Sequence, residues 1–133
     1  MRSVVIRVPL VYGRRGALFQ SLIAVAQAEG FGRYIGSGEN KWSTIHVDDL
    51  AELYVRALEQ APAGSVYIAA AGPPVSMKAI AEALGRRVGA NGNARSWSKE
   101  AAGQTIGELF ATILTLNSQV SGAKATRELG WHP

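Results

Sequence analysis

Near its start the chain carries a β-branched run: Val4, Val5, Ile6 and Val8, interrupted by Arg7 and stopped by Pro9. A segment apolar on both faces is expected as a buried strand of a parallel sheet, because such strands are covered on both sides. Proline donates no ladder hydrogen bond and is not tolerated in a central strand, so the strand ends there. Gly13 and Gly16 then precede a helical pattern. Strand, abrupt loop and helix is the order that sets ligands at the carboxyl ends of strands in open α/β sheets.

At 133 residues the chain is expected to form one domain, residues 1–133. Hydrophobic content of 47% with 18% charged residues excludes a disordered chain. No cysteine is present, which excludes disulfides and thiolate chemistry. His46 and His132 stand too far apart in sequence to suggest a histidine metal site. The formal net charge of +4 comes from scattered basic residues, with Arg14–Arg15 and Arg86–Arg87 the tight pairs. That pattern reads as a solvated surface, so no nucleic acid is expected as partner. No apolar run approaches the ~20 residues of a membrane span, and no secretory leader precedes the first strand, so no membrane partner and a cytoplasmic location are expected.

Apolar spacing predicts a helix over Ala17–Glu29, stopped by Gly30. Phe31–Ile35 reads as a short strand, Gly36-Ser37-Gly38 as a turn, and Trp42–Val47 as extended. Asp48 or Asp49 is the expected cap of a helix with the stripe Leu50, Leu53, Tyr54, Ala57 and Leu58. Ser65–Ala71 reads as a second buried strand, broken by Gly72-Pro73-Pro74. Ser76 caps a helix expected to turn Ile80, Ala83, Leu84 and Val88 inward, and Gly89–Asn93 is a loop. Ser98 opens a short helical turn, and Thr105-x-x-Glu108 has capping-box spacing before Ile106, Leu109, Phe110, Ile113 and Leu114. Ser121 starts a last helix, Gly130 ends it, and Trp131 is expected to fold back over that end.

Motifs able to carry chemistry are few. Gly13-Arg14-Arg15-Gly16 falls short of a dinucleotide fingerprint, because Phe19 stands where a third glycine belongs and Arg33 where an acid is expected about 20 residues on. No serine lies in a G-x-S-x-G elbow, and no tyrosine is followed four residues later by lysine. Asp48 and Asp49 read as helix-start carboxylates rather than an acid–base pair. His46, ahead of them, reads first as a residue holding the strand–helix turn and second as a ligand contact.

Four segments in order carry a resemblance: Arg7-Val8-Pro9-Leu10-Val11-Tyr12-Gly13; Gly36-Ser37-Gly38 leading to Ile45-His46-Val47-Asp48-Asp49-Leu50-Ala51; Gly64-Ser65-Val66-Tyr67; and Ser121-Gly122-Ala123-Lys124 through Leu129-Gly130-Trp131-His132-Pro133. Together they resemble the C-terminal half of an extended or atypical short-chain dehydrogenase/reductase, the NAD-dependent epimerase/dehydratase family. The resemblance implies an α/β, partial Rossmann-like fold, with a small, mostly parallel sheet surrounded by helices. It implies that Pro9, Leu10 and Val11 pass the nicotinamide ring, largely through backbone, and that Tyr12, Arg14 and Arg15 line the mouth of a substrate cleft. The stretch 41–46, with Trp42 and His46, borders the substrate. Family members acting on nucleotide sugars usually carry arginine at the place of Trp42 and often asparagine at that of Leu10. The apolar residues here imply a smaller or more apolar ligand.

The family's glycine-rich loop, catalytic Ser/Thr and Tyr-x-x-x-Lys pair belong to an N-terminal half not found in this sequence. The resemblance therefore implies a substrate-binding half that binds no cofactor and performs no catalysis alone, NAD(P) being the cofactor of the parent family. A small-molecule substrate, and a homodimer or a pairing with an N-terminal half, are the expected partners, because Val4–Val8 would lose neighbouring strands. The alternative is a stand-alone, non-catalytic module binding a small apolar ligand or a protein, or a remnant without selected activity.

Overall fold

The computed structural model describes residues 2–13 and 15–133; the expected site residue Arg14 lies outside them. In chain order the first elements are β1 (Val5–Arg7), β2 (Leu10–Tyr12), α1 (Ala17–Glu29), β3 (Gly32–Ile35), β4 (Lys41–His46) and α2 (Val47–Gln60). They are followed by β5 (Val66–Ile68), β6 (Ala71–Ser76), α3 (Met77–Arg87), β7 (Ala94–Trp97), α4 (Lys99–Ile106), α5 (Glu108–Thr115) and α6 (Ala123–Leu129). The fold is α/β, and the pairs β1–β5, β2–β4 and β3–β7 are all parallel.

The chain gathers into two compact units. The first comprises Met1–Arg14, Ser43–Pro74 and Gln119–Pro133. Its core joins Ile45, Leu53, Ala57, Tyr67, Leu129 and Trp131, all nearly sealed from solvent. Trp131 does fold back over the end of α6. Gly130, in the left-handed conformation at φ 60°, turns the chain, and the indole Nε1 donates to the Asp49 carbonyl at 2.9 Å. Tyr67 Oη pairs with Glu128 Oε2 at 3.0 Å, which lets a buried phenol keep a polar partner at the protein surface. The second unit comprises Arg15–Trp42 and Val75–Ser118. There Gly32 passes so close to α3 that a Cβ on it would lie 1.9 Å from the Ala81 carbonyl oxygen, so β3 can pack there only with glycine.

Several expectations are corrected. The run Val4–Val8 is not buried: only Val5–Arg7 forms a strand, β5 is its one neighbour among the described residues, and Val5 remains 51% exposed. A parallel strand with one neighbour and one covered face cannot hide both its faces. Residues after Pro9 form no loop; Leu10–Tyr12 pair with Thr44–His46 as β2. Pro73 and Pro74 lie inside β6, the outer strand of the order β2–β4–β6, where a missing N–H is tolerated. Helix α3 buries Met77, Ala81 and Gly85, while Ala83 is exposed. Residues 94–97, whose sequence carries no strand periodicity, form β7. Thr105 and Glu108 make no capping box. Thr105 Oγ1 donates back to the Ala101 carbonyl within α4, and Gly107 at φ 93° ends that helix and begins α5.

Candidate functional site

Parallel pairing of β2 with β4 sets Leu10 opposite Thr44, Val11 opposite Ile45 and Tyr12 opposite His46. Leu10 is buried and Val11 packs on the core, so what these two can offer a ligand is backbone. Pro9, between β1 and β2, is half-buried. At the carboxyl ends of the two strands Tyr12 and His46 meet edge to face, with ring centroids 5.2 Å apart and an interplanar angle of 72°. This arrangement suits the ring quadrupoles.

His46, not Asp48 or Asp49, caps α2: its Nδ1 accepts the Asp48 N–H at 3.2 Å. Both aspartates lie in the first helical turn, where the helix dipole favours negative charge. The Asp48 carboxylate comes within 3.7 Å of the same Nδ1. Because Nδ1 accepts in this cap, the proton of the neutral ring resides on Nε2, which becomes a donor of fixed direction. Gly13 closes the corner. Its φ is 143°, and a Cβ there would lie 2.5 Å from Val47 Cγ1 and 3.4 Å from His46 Nε2. The sequence pattern holds the signal for this contact, a glycine directly after a strand tyrosine, but not its partner.

The remaining expected residues are distributed differently. Arg15 is exposed and belongs to the second unit. Trp42, also in the second unit, bridges Ser118 through its backbone, and its indole Nε1 is buried without a hydrogen-bond partner among the described residues. A separate hollow of about 450 Å³ in the first unit is lined by Ala70, Gly72, Ser121, Thr126 and His132 among others, none of them an expected site residue. Among the described residues no group of three His, Cys, Asp or Glu could hold a metal, and no helix is long and apolar enough to cross a membrane.

This architecture is that of Rossmann-like short-chain dehydrogenase/reductases. One solved relative in fold is a dTDP-glucose 4,6-dehydratase of Streptomyces venezuelae with NAD bound: TM-score 0.74 and 21% identity, covering 98% of this chain and 38% of that one. Another is the human epimerase family protein SDR39U1 with NADPH: TM-score 0.73 and 24% identity, covering 99% of this chain and 44% of that one. Residues 1–70 match the NAD dependent epimerase/dehydratase family, and the chain belongs to that family. It is also 35% identical over 135 residues to an uncharacterized protein of Schizosaccharomyces pombe, covering all of this chain and 45% of that relative. The chain thus spans less than half the length of these relatives.

Proposed function

We propose that this chain is the substrate-side half of an NAD(P)-dependent epimerase/dehydratase-like reductase, completed by a cofactor-binding half and not catalysing without it. The observation that carries this reading is the β2–β4 pairing, which puts the Tyr12–His46 ring pair at the carboxyl ends of two parallel strands in a chain of this family. Ligands of open α/β sheets bind at those ends. Pro9, Leu10 and Val11 supply backbone groups toward the nicotinamide carboxamide. Tyr12 supplies an aromatic face, and His46 supplies a directed Nε2–H toward an acceptor on the substrate. NAD(P) would supply the hydride; no residue of this chain provides the tyrosine–lysine proton donor.

The test is a thermal-shift titration with NAD(H) and NADP(H), run on a mixture of this chain with the part of the Schizosaccharomyces pombe relative that lies outside the match. Ligands that bind only the folded form raise its apparent stability. A shift in the mixture that Tyr12→Ala reduces supports the reading. A mixture that forms a complex yet responds to neither cofactor sinks it.

A further inference from the structure

We infer that Asn91-Gly92 is a site of spontaneous covalent modification, where the chain converts its own asparagine to aspartyl and isoaspartyl forms, and that the isoaspartyl form loosens the start of β7. Asparagine stands at positions 40, 91, 93 and 117, and glycine follows it at 91 alone. The turn joining α3 to β7 runs Ala90-Asn91-Gly92-Asn93 and is closed by one bond, from the Asn93 N–H to the Ala90 carbonyl at 2.8 Å. Both central residues have positive φ, 50° at Asn91 and 81° at Gly92, as in the type I′ turn that favours Asn-Gly. Asn91 is exposed. Among the described residues neither its side chain nor the Gly92 N–H has a hydrogen-bond partner.

The reaction needs only water. The Gly92 amide nitrogen gives its proton to hydroxide and bonds to the Asn91 side-chain carbonyl carbon. The Cγ–Nδ2 bond breaks, and ammonia leaves with a proton taken from water. The succinimide so formed then adds one water. Opening at the new bond leaves an aspartate at position 91 on an unchanged chain. Opening at the original peptide bond leaves the chain running through the side-chain carbonyl, one methylene longer. The sum is asparagine plus water giving aspartate plus ammonia, with nothing oxidised or reduced. Glycine has no Cβ to crowd the attacking nitrogen, and an exposed turn closed by one bond opens locally at small cost. The other asparagines lack this combination. Asn40 Nδ2 donates to the Leu114 and Leu116 carbonyls at 2.9 and 2.7 Å, and Asn117 Oδ1 accepts from the Lys41 N–H at 2.7 Å. Asn93 precedes Ala94, the first residue of β7.

The surroundings sort the two products. Aspartate tolerates the left-handed backbone of Asn91. Its carboxylate arrives near Arg86, whose Nη1 lies 3.2 Å from where a Cβ on Gly92 would stand. The isoaspartyl form has no such ease. The Asn93 carbonyl accepts from the Gly32 N–H at 3.1 Å, and a Cβ on Gly85 would lie 2.3 Å from its oxygen. A methylene inserted just upstream must displace that carbonyl, where β7 begins its pairing with β3 at Gly32 and Ala94.

The experiment ages the folded chain in mildly alkaline buffer and follows the exchange of NH for O by mass spectrometry. Trypsin cuts after Arg87 and Arg95, so one peptide carries both Asn91 and Asn93, and its fragment ions tell them apart. Conversion is expected at least about tenfold faster at Asn91 than at Asn93, Asn40 or Asn117, because only there do an exposed turn and a bare glycine nitrogen coincide. An isoaspartate methyltransferase should methylate the aged chain and not the fresh one. Asn91→Gln, which would have to close a larger ring, should abolish both signals, while Asn93→Gln leaves them unchanged; circular dichroism reports each variant folded. The Gly32 amide should exchange at least about tenfold faster in the isoaspartyl fraction than in the fresh chain, since its acceptor has moved. Conversion no faster at Asn91 than at Asn93 overturns the inference, as does conversion seen only in urea. An isoaspartyl fraction whose Gly32 amide exchanges as in the fresh chain overturns the loosening of β7.

Discussion

His46 combines two duties within one ring, and substitutions can separate them. As the cap of α2 it accepts from the Asp48 N–H, and removing such a cap costs about 0.5–2 kcal/mol. His46→Ala should therefore lower the unfolding free energy in urea by that amount. His46→Asn, whose carbonyl oxygen can cap in the same way, should stay within about 0.5 kcal/mol of the parent. Equal losses in both variants would show that the ring does not act as a cap. Gly13 offers a second test beside it. An alanine there must adopt φ near 143° and press its methyl against Val47 Cγ1, so Gly13→Ala should cost about 1–3 kcal/mol. Val47→Ala in the same chain should recover part of that loss, since it removes the clash but not the backbone strain. Strict additivity of the two changes would refute the contact.

At the scale of elements, the features legible in the sequence were those stated by local chemistry. Gly30 and Gly130 stop α1 and α6 in left-handed conformations, and Ser76 and Ser98 cap α3 and α4 through their hydroxyls. What was not legible depends on distant partners. Residues 94–97, ARSW, have no apolar alternation and are a strand only because β3 lies beside them, with Arg33 opposite Arg95. The repulsion of that like-charged pair is eased by Glu29, which binds Arg33, and by the Phe31 ring under both guanidiniums. The β2 strand is three residues long between Pro9 and Gly13, too short for any periodicity to register. The α6 end was legible in full, and it carries the next prediction. Trp131 is wholly buried and bonded to the Asp49 carbonyl, so Trp131→Ala should cost about 3–5 kcal/mol in urea denaturation. Trp131→Phe, which keeps most of the ring and loses the donor, should cost distinctly less. A loss below about 1 kcal/mol for the alanine would mean that this tail is not part of the core.

For the whole molecule, the family and the α/β class were readable because four separated segments occur in order, each tied to a turn or strand end that the fold uses. The site was readable only in part. Tyr12 and His46 meet, as neighbouring parallel strands require, whereas the division of the chain into two units, with Arg15 and Trp42 in the second, has no local signature. A dinucleotide places its pyrophosphate on a glycine cradle at a helix start, and Phe19 stands where this chain's strand–loop–helix would need its third glycine. The chain alone should therefore respond to neither NADH nor NADPH. A ligand present at a hundred times its Kd stabilises the folded form by about 2.7 kcal/mol. For a chain of this size that raises Tm by several degrees, so 1 mM cofactor would reveal any Kd of about 10 μM or tighter. The expected shift is below about 1 °C. A rise of several degrees in the isolated chain would place a working cofactor site within these 133 residues and remove the need for a second half.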